Sequence, residues 1–257
     1  MVRPSAFNEA CSEKSRPVSL SGVVMASKPS AGRIPGWRRP LRWLLAALLT
    51  PPAIGVSWAV RDVILTSGRA LDFWVAVGSG VGVWLVVFFS LPRPMWLYVV
   101  GHELTHALWA LLFGGRVKAF KATRHGGHVV LTKTNSLIAL APYFFPIYAV
   151  LWALVFLGSA WFFAWRRHAF WFHFGLGLTY AFHLTLTATV LRTRQPDLAG
   201  EGWVFSGVLI WLVHAGVLLL ALPMLAGNVA PATALAWAGD RTSRVILSLV
   251  RWLGGLG

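Results

Sequence analysis

Apolar runs dominate the chain beyond its first forty residues, at about 43–60, 71–92, 95–113, 136–165, 169–191 and 202–222. Runs of this kind reach the roughly 20 residues that a helix needs to cross a bilayer. The pattern predicts an all-α polytopic membrane protein with five or six transmembrane helices. The first run contains Pro51-Pro52, which a straight helix interior resists, so a broken or interfacial segment is expected there. At about 241–253, Arg241, Arg244 and Arg251 stand amid Val, Ile, Leu and Trp. That mixture predicts an interfacial amphipathic helix.

Residues 114–134, GGRVKAFKATRHGGHVVLTKT, break the pattern. Short β-branched and apolar runs flank Arg124-His125-Gly126-Gly127, which predicts a β-hairpin inserted after the third apolar run. Backbone at this position must hydrogen-bond internally or against protein, so the hairpin is a candidate edge for strand addition. Residues 1–40 are rich in Ser, Pro, Gly, Lys and Arg and read as a disordered basic tail. The stretch Val18–Ala26 is interrupted by serines and a glycine, unlike a cleaved signal peptide. The expected organisation is a tail at 1–40, a membrane-embedded domain at 41–240 and the amphipathic segment at 241–257.

Composition agrees. The chain is 57% hydrophobic and only 12% charged, against the roughly one quarter charged that is usual in soluble domains. Its 15 tryptophans suit a bilayer interface. The net charge of +15 would suggest nucleic acid in a soluble protein, but here Lys and Arg cluster in the tail and loops. That distribution fits orientation and anionic-lipid contact, and no nucleic acid partner is expected. The positive-inside rule favours five full spans, with 43–60 not crossing completely and with the tail, the hairpin and Asp197 on the cytoplasmic side. The expected location is a bacterial cell (inner) membrane. Cys11 is the only cysteine, so there is neither an intramolecular disulfide nor a thiolate metal site.

Chemistry concentrates in His102-Glu103-Leu104-Thr105-His106, an HExxH sequence inside an apolar helix. Histidines at i and i+4 share one helical face, so both imidazoles can meet one metal ion. Glu103 then stands beside the open position, placed to take a proton from the attacking water. A carboxylate and two histidines within a membrane segment are costly and usually functional. The bland alternative is interhelical hydrogen bonding or haem ligation.

A third protein ligand would leave one position open for water. Beyond Glu103, the acids after residue 100 are Asp197, Glu201 and Asp240. Asp197, at the end of a membrane segment, is the best candidate, with a solvated loop acid as its bland reading. His183 is the rival, but it lies fourteen residues before Asp197, about 21 Å along a continuous helix. The two cannot share a metal unless that helix breaks. His125 and His128 flank the hairpin turn and read as solvated.

At these residues the chain resembles the site-2 protease family of intramembrane zinc metallopeptidases. The matching parts are Gly101-His102-Glu103-Leu104-Thr105-His106-Ala107, the following hairpin, and a distal acid before another apolar segment. The resemblance covers roughly residues 95–205. It implies zinc held by His102, His106 and Asp197, with Glu103 activating water. It also implies endopeptidase action on a membrane-anchored protein substrate. Asp197 is followed by Leu198 where the family usually has glycine. Two rival classes remain: a haem-binding electron carrier using His102, His106, His173 or His183, and a non-enzymatic membrane scaffold or transporter.

Overall fold

The computed structural model describes residues 24–25, 38–123, 126–159 and 168–255. Cys11 and most of the predicted tail lie outside the described residues, as do the hairpin turn Arg124-His125 and the end of the predicted 136–165 segment.

The described chain is mostly helical. A two-residue strand β1 (Val24–Met25) precedes α1 (Arg38–Thr66), α2 (Leu71–Ser90) and α3 (Met95–Leu112). Strands β2 (Val117–Thr123) and β3 (Gly126–Leu131) follow, then α4 (Ser136–Phe144), α5 (Ile147–Ser159) and α6 (Ala169–Leu191). The chain ends in α7 (Pro196–Glu201), α8 (Trp203–Ala226) and α9 (Pro231–Leu253). Four helices, α1, α2, α6 and α8, are long and apolar enough to cross a membrane, and α4 with α5 makes a fifth if that bent pair is one span. The helix carrying HExxH is not among them.

The two prolines do not break α1, which is one helix of 29 residues through Pro51 and Pro52. Its packing explains the difference from the sequence expectation. Helices α8 and α9 both lie along α1. Arg241 of α9 grips Asp62 at 2.6 and 2.9 Å, and Trp211 of α8 donates to Ser57 Oγ at 2.9 Å. Tertiary contact offsets the hydrogen bonds that prolines remove, as happens when neighbours support a helix in an apolar setting. The same contact lengthens the C-terminal element. The Arg-bearing segment continues a helix begun at Pro231, so residue 240 falls inside α9 rather than at a boundary. In its first half Ala234 and Ala238 are buried.

The predicted run 136–165 instead turns by 72° between α4 and α5. Pro146 cannot continue the helix, and the preceding Phe145 is extended, as residues before proline tend to be. Elsewhere small residues set the helix spacing. A Cβ on Gly80 would lie 2.0 Å from the Phe174 carbonyl oxygen, and one on Gly177 would lie 2.2 Å from that of Val77. Reciprocal glycines thus let the α2 and α6 backbones touch.

The hairpin forms as the sequence implies, with β2 antiparallel to β3 in a register running from Val117 opposite Leu131 to Thr123 opposite Gly126. Strand β3 alternates, burying Gly127, Val129 and Leu131, the period-2 signature of a half-covered strand. Its buried face packs on Ala107 and Ala110 of α3 and Ile138 of α4. The other edge of β3 carries β1 in parallel, with Val24 opposite Val130 and Met25 opposite Leu131.

Candidate metal centre

The spacing in HExxH puts His102 and His106 one turn apart on α3, with ring centroids 4.9 Å apart. Both are buried. The third member comes from a fold-back. Helix α6 stops at Leu191, and the buried Gln195 then donates from Nε2 to the Val190 carbonyl and to Thr193 Oγ1, closing the turn. Pro196 starts α7 with a backbone already set for helix. Arg42 of α1 forms an ion pair with Glu201 at the far end of α7 and donates to Ser136 Oγ of α4 at 2.9 Å. Helix α7 is thereby pinned against the bundle with Asp197 pointing at the histidines.

Asp197 Oδ2 lies 3.7 Å from His102 Nε2 and 3.6 Å from His106 Nε2. One ligand atom from each of the three residues lies within 4.8 Å of the other two. Those separations exceed a hydrogen bond, and both Nε2 atoms are buried without a hydrogen-bond partner. Ligands at 2.0–2.1 Å from a tetrahedral zinc stand about 3.4 Å apart. The donor set, two imidazoles and one carboxylate, also suits that ion. The residues therefore fit a metal, and the orphaned nitrogens have a physical reason to converge.

Two of the three residues have a hydrogen-bond partner that aims them. His106 Nδ1 donates to the Ile138 carbonyl at 2.8 Å, which fixes Nε2 as the free lone pair. That carbonyl is free for a local reason. Ile138 lies in the first turn of α4, started by the Asn135 side chain accepting from Ile138 N at 2.8 Å. The residue four positions on is Pro142, which has no N–H to donate back. Tyr143, beside it, donates its hydroxyl to Asp197 Oδ2 at 3.2 Å and stands edge-on to His102 with centroids 5.3 Å apart. Burial alone would push the Asp197 carboxyl up, but the two adjacent imidazoles outweigh it and hold the group below its ordinary value, in the anionic form a metal requires.

Glu103 is fully buried, and both its oxygens lack partners. It packs under the hairpin. A Cβ on Gly127 would lie 2.7 Å from Glu103 Cγ and 2.9 Å from both Val99 Cγ1 and the Lys121 carbonyl oxygen. The bare glycine at this point of β3 makes room for the carboxylate.

The other candidates fall outside this three-residue group. Glu201 is engaged by Arg42, Asp240 pairs with Arg244 on α9, and His128 sits in β3 opposite Lys121. His125 lies outside the described residues. His183 is buried near the centre, stacked on His214 at 5.5 Å and 20°, yet it does not join the three-residue group. The helix between it and Asp197 does break, at 192–195, so distance along the chain is not what separates them. Sequence reasoning missed Asn135, Ile138, Pro142 and Tyr143. Only Pro142 left a signal, since a proline inside an apolar helix frees a carbonyl four residues earlier.

Compared with protein-family models, with curated proteins and with solved structures, the chain gives no match.

Proposed function

We propose that the protein is an intramembrane zinc metalloendopeptidase resembling the site-2 proteases, acting on a membrane-anchored protein. One observation carries the reading: two histidine nitrogens, buried and without hydrogen-bond partners, converge with a buried carboxylate oxygen beside a buried glutamate without partners. His102, His106 and Asp197 would hold the zinc, which would supply Lewis acidity toward the scissile carbonyl and lower the pKa of the attacking water towards ~7. Glu103 takes the proton from the attacking water and delivers it to the departing amine. Tyr143 and the Ile138 carbonyl keep the ligands oriented while peptide enters and leaves.

Two further features support a membrane-borne peptide substrate. A cavity of about 670 Å³ opens among α1, α6 and α8, lined chiefly by apolar side chains and reaching Tyr143 at the centre's edge. One edge of the hairpin carries Val24–Met25 as an added strand, and an unwound substrate segment would pair with the sheet in the same manner. A haem held by His102 and His106 together suits the geometry poorly, because the two lie side by side on one helix face and cannot ligate opposite faces of one macrocycle.

The test is elemental analysis of purified, folded protein. About one zinc per chain is expected in the wild type and close to none in the His102→Ala/His106→Ala double variant. Equal metal in both would remove the proposal.

A further inference from the structure

A small cavity touches the metal centre at His102. It measures about 10 Å³ and is lined by His102, His183, Tyr98, Thr105 and Tyr148 among others. That is roughly the room one water molecule needs, provided it finds two or more polar partners. Most polar groups on the wall are already committed. The Tyr98 hydroxyl pairs with Thr187 Oγ1 at 3.2 Å, Thr105 donates to the Gly101 carbonyl at 2.7 Å, and Tyr148 to that of Leu97 at 2.5 Å. Two buried nitrogens remain without partners, His102 Nδ1 and His183 Nε2.

Their tautomers are complementary. If His102 ligates through Nε2, its Nδ1 carries the proton and must donate. His183 stands beside the Tyr143 backbone carbonyl, and its orphan nitrogen is Nε2. Its Nδ1 is therefore the donor, and Nε2 is left with a lone pair. His214 cannot satisfy that lone pair, because it stacks on the ring face, at 20° between planes, while the lone pair lies in the ring plane. Two histidines, each with a buried and unpaired nitrogen, thus line one water-sized hole.

We infer that His183 is a positioning residue for the metal ligand His102, acting through a single water that accepts from His102 Nδ1–H and donates to His183 Nε2. The inference rests on the metal-centre reading above. It completes a symmetric arrangement: His106 is oriented directly by the Ile138 carbonyl, and His102 through the bridged imidazole. Tyr143 joins the two arms, since its hydroxyl holds Asp197 and its backbone carbonyl stands beside the His183 ring.

The test compares zinc affinity, by chelator competition, in wild-type protein, His183→Phe, His183→Gln and His102→Ala. Phenylalanine keeps ring volume and the stack on His214 but offers no acceptor, whereas the Gln amide oxygen stands near the position of Nε2. His183→Phe should bind zinc about 10–100-fold more weakly, the usual cost of losing an outer-shell partner, and His183→Gln should recover most of the loss. The visible spectrum of the cobalt-substituted protein should change in His183→Phe and return towards wild type in His183→Gln, which a purely structural role would not produce. His183→Leu serves the same comparison if the Phe variant does not fold. Wild-type affinity in His183→Phe, or equal weakening in the Phe and Gln variants, overturns the inference and leaves the metal centre standing. Failure of wild type and His102→Ala alike to bind zinc overturns both.

Discussion

Pro142→Ala should move two properties in opposite directions. Alanine restores an N–H four residues after Ile138, and that N–H competes for the carbonyl now held by His106 Nδ1 at 2.8 Å. In a helix interior the change from proline favours helix by up to about 3 kcal/mol. Against this stands the loss of two packed methylenes, about 0.8 kcal/mol each, at a buried position. The metal-free protein should thus be at least as stable as the wild type. Zinc affinity should fall, because His106 loses its fixed tautomer and ring orientation. A carbonyl has two lone pairs, so the bond is weakened rather than abolished, and the lower part of the 10–100-fold range for such partners applies. Thermal unfolding of chelated protein and zinc titration by competition measure the two halves. Unchanged zinc affinity in a folded variant would refute the argument that a missing N–H orients the ligand.

The other predictions follow from the same contacts. Tyr143→Phe removes the hydroxyl on Asp197 and should weaken zinc binding about tenfold by competition titration, as expected for one outer-shell partner. Wild-type affinity would show that Asp197 needs no such support. Asp197→Ala should lower both zinc occupancy and activity, whereas Asp240→Ala should leave occupancy at the wild-type value; retained zinc in Asp197→Ala would contradict the assigned ligand set. Gly127→Ala pushes a methyl group against Glu103 Cγ and should reduce kcat while zinc content stays near one per chain. Full turnover in that variant would mean that the carboxylate's place under β3 is immaterial.

Legibility in the sequence followed the range of the interaction involved. The His102–Glu103–His106 face was readable because helical period alone sets it. The hairpin was readable because β-branched and apolar runs flank Arg124-His125-Gly126-Gly127, although Gly126 and Gly127 belong to β3 rather than to the turn. Asp197 emerged from the scarcity of acids, but its approach depended on a fold-back closed by Gln195, which no local pattern announces. The linear estimate that kept His183 from Asp197 assumed a helix that breaks at 192–195. Pro51-Pro52 misled in the other direction, since the cost of a proline is local while the packing of α8 and α9 along α1 is not. The Ile138 carbonyl could not be foreseen as a partner of His106, 32 residues away, although Pro142 had already freed it.

The central claim is peptide hydrolysis at this centre, and it is tested most directly by turnover of a membrane-anchored substrate in proteoliposomes. The comparison is between wild type and Glu103→Gln, both loaded with zinc and matched for metal content. The substitution removes the base but no ligand and is nearly isosteric. The account predicts cleavage by the wild type and a loss of about 10²–10⁴-fold in Glu103→Gln, the usual contribution of a general base. Comparable cleavage by the two proteins would contradict it.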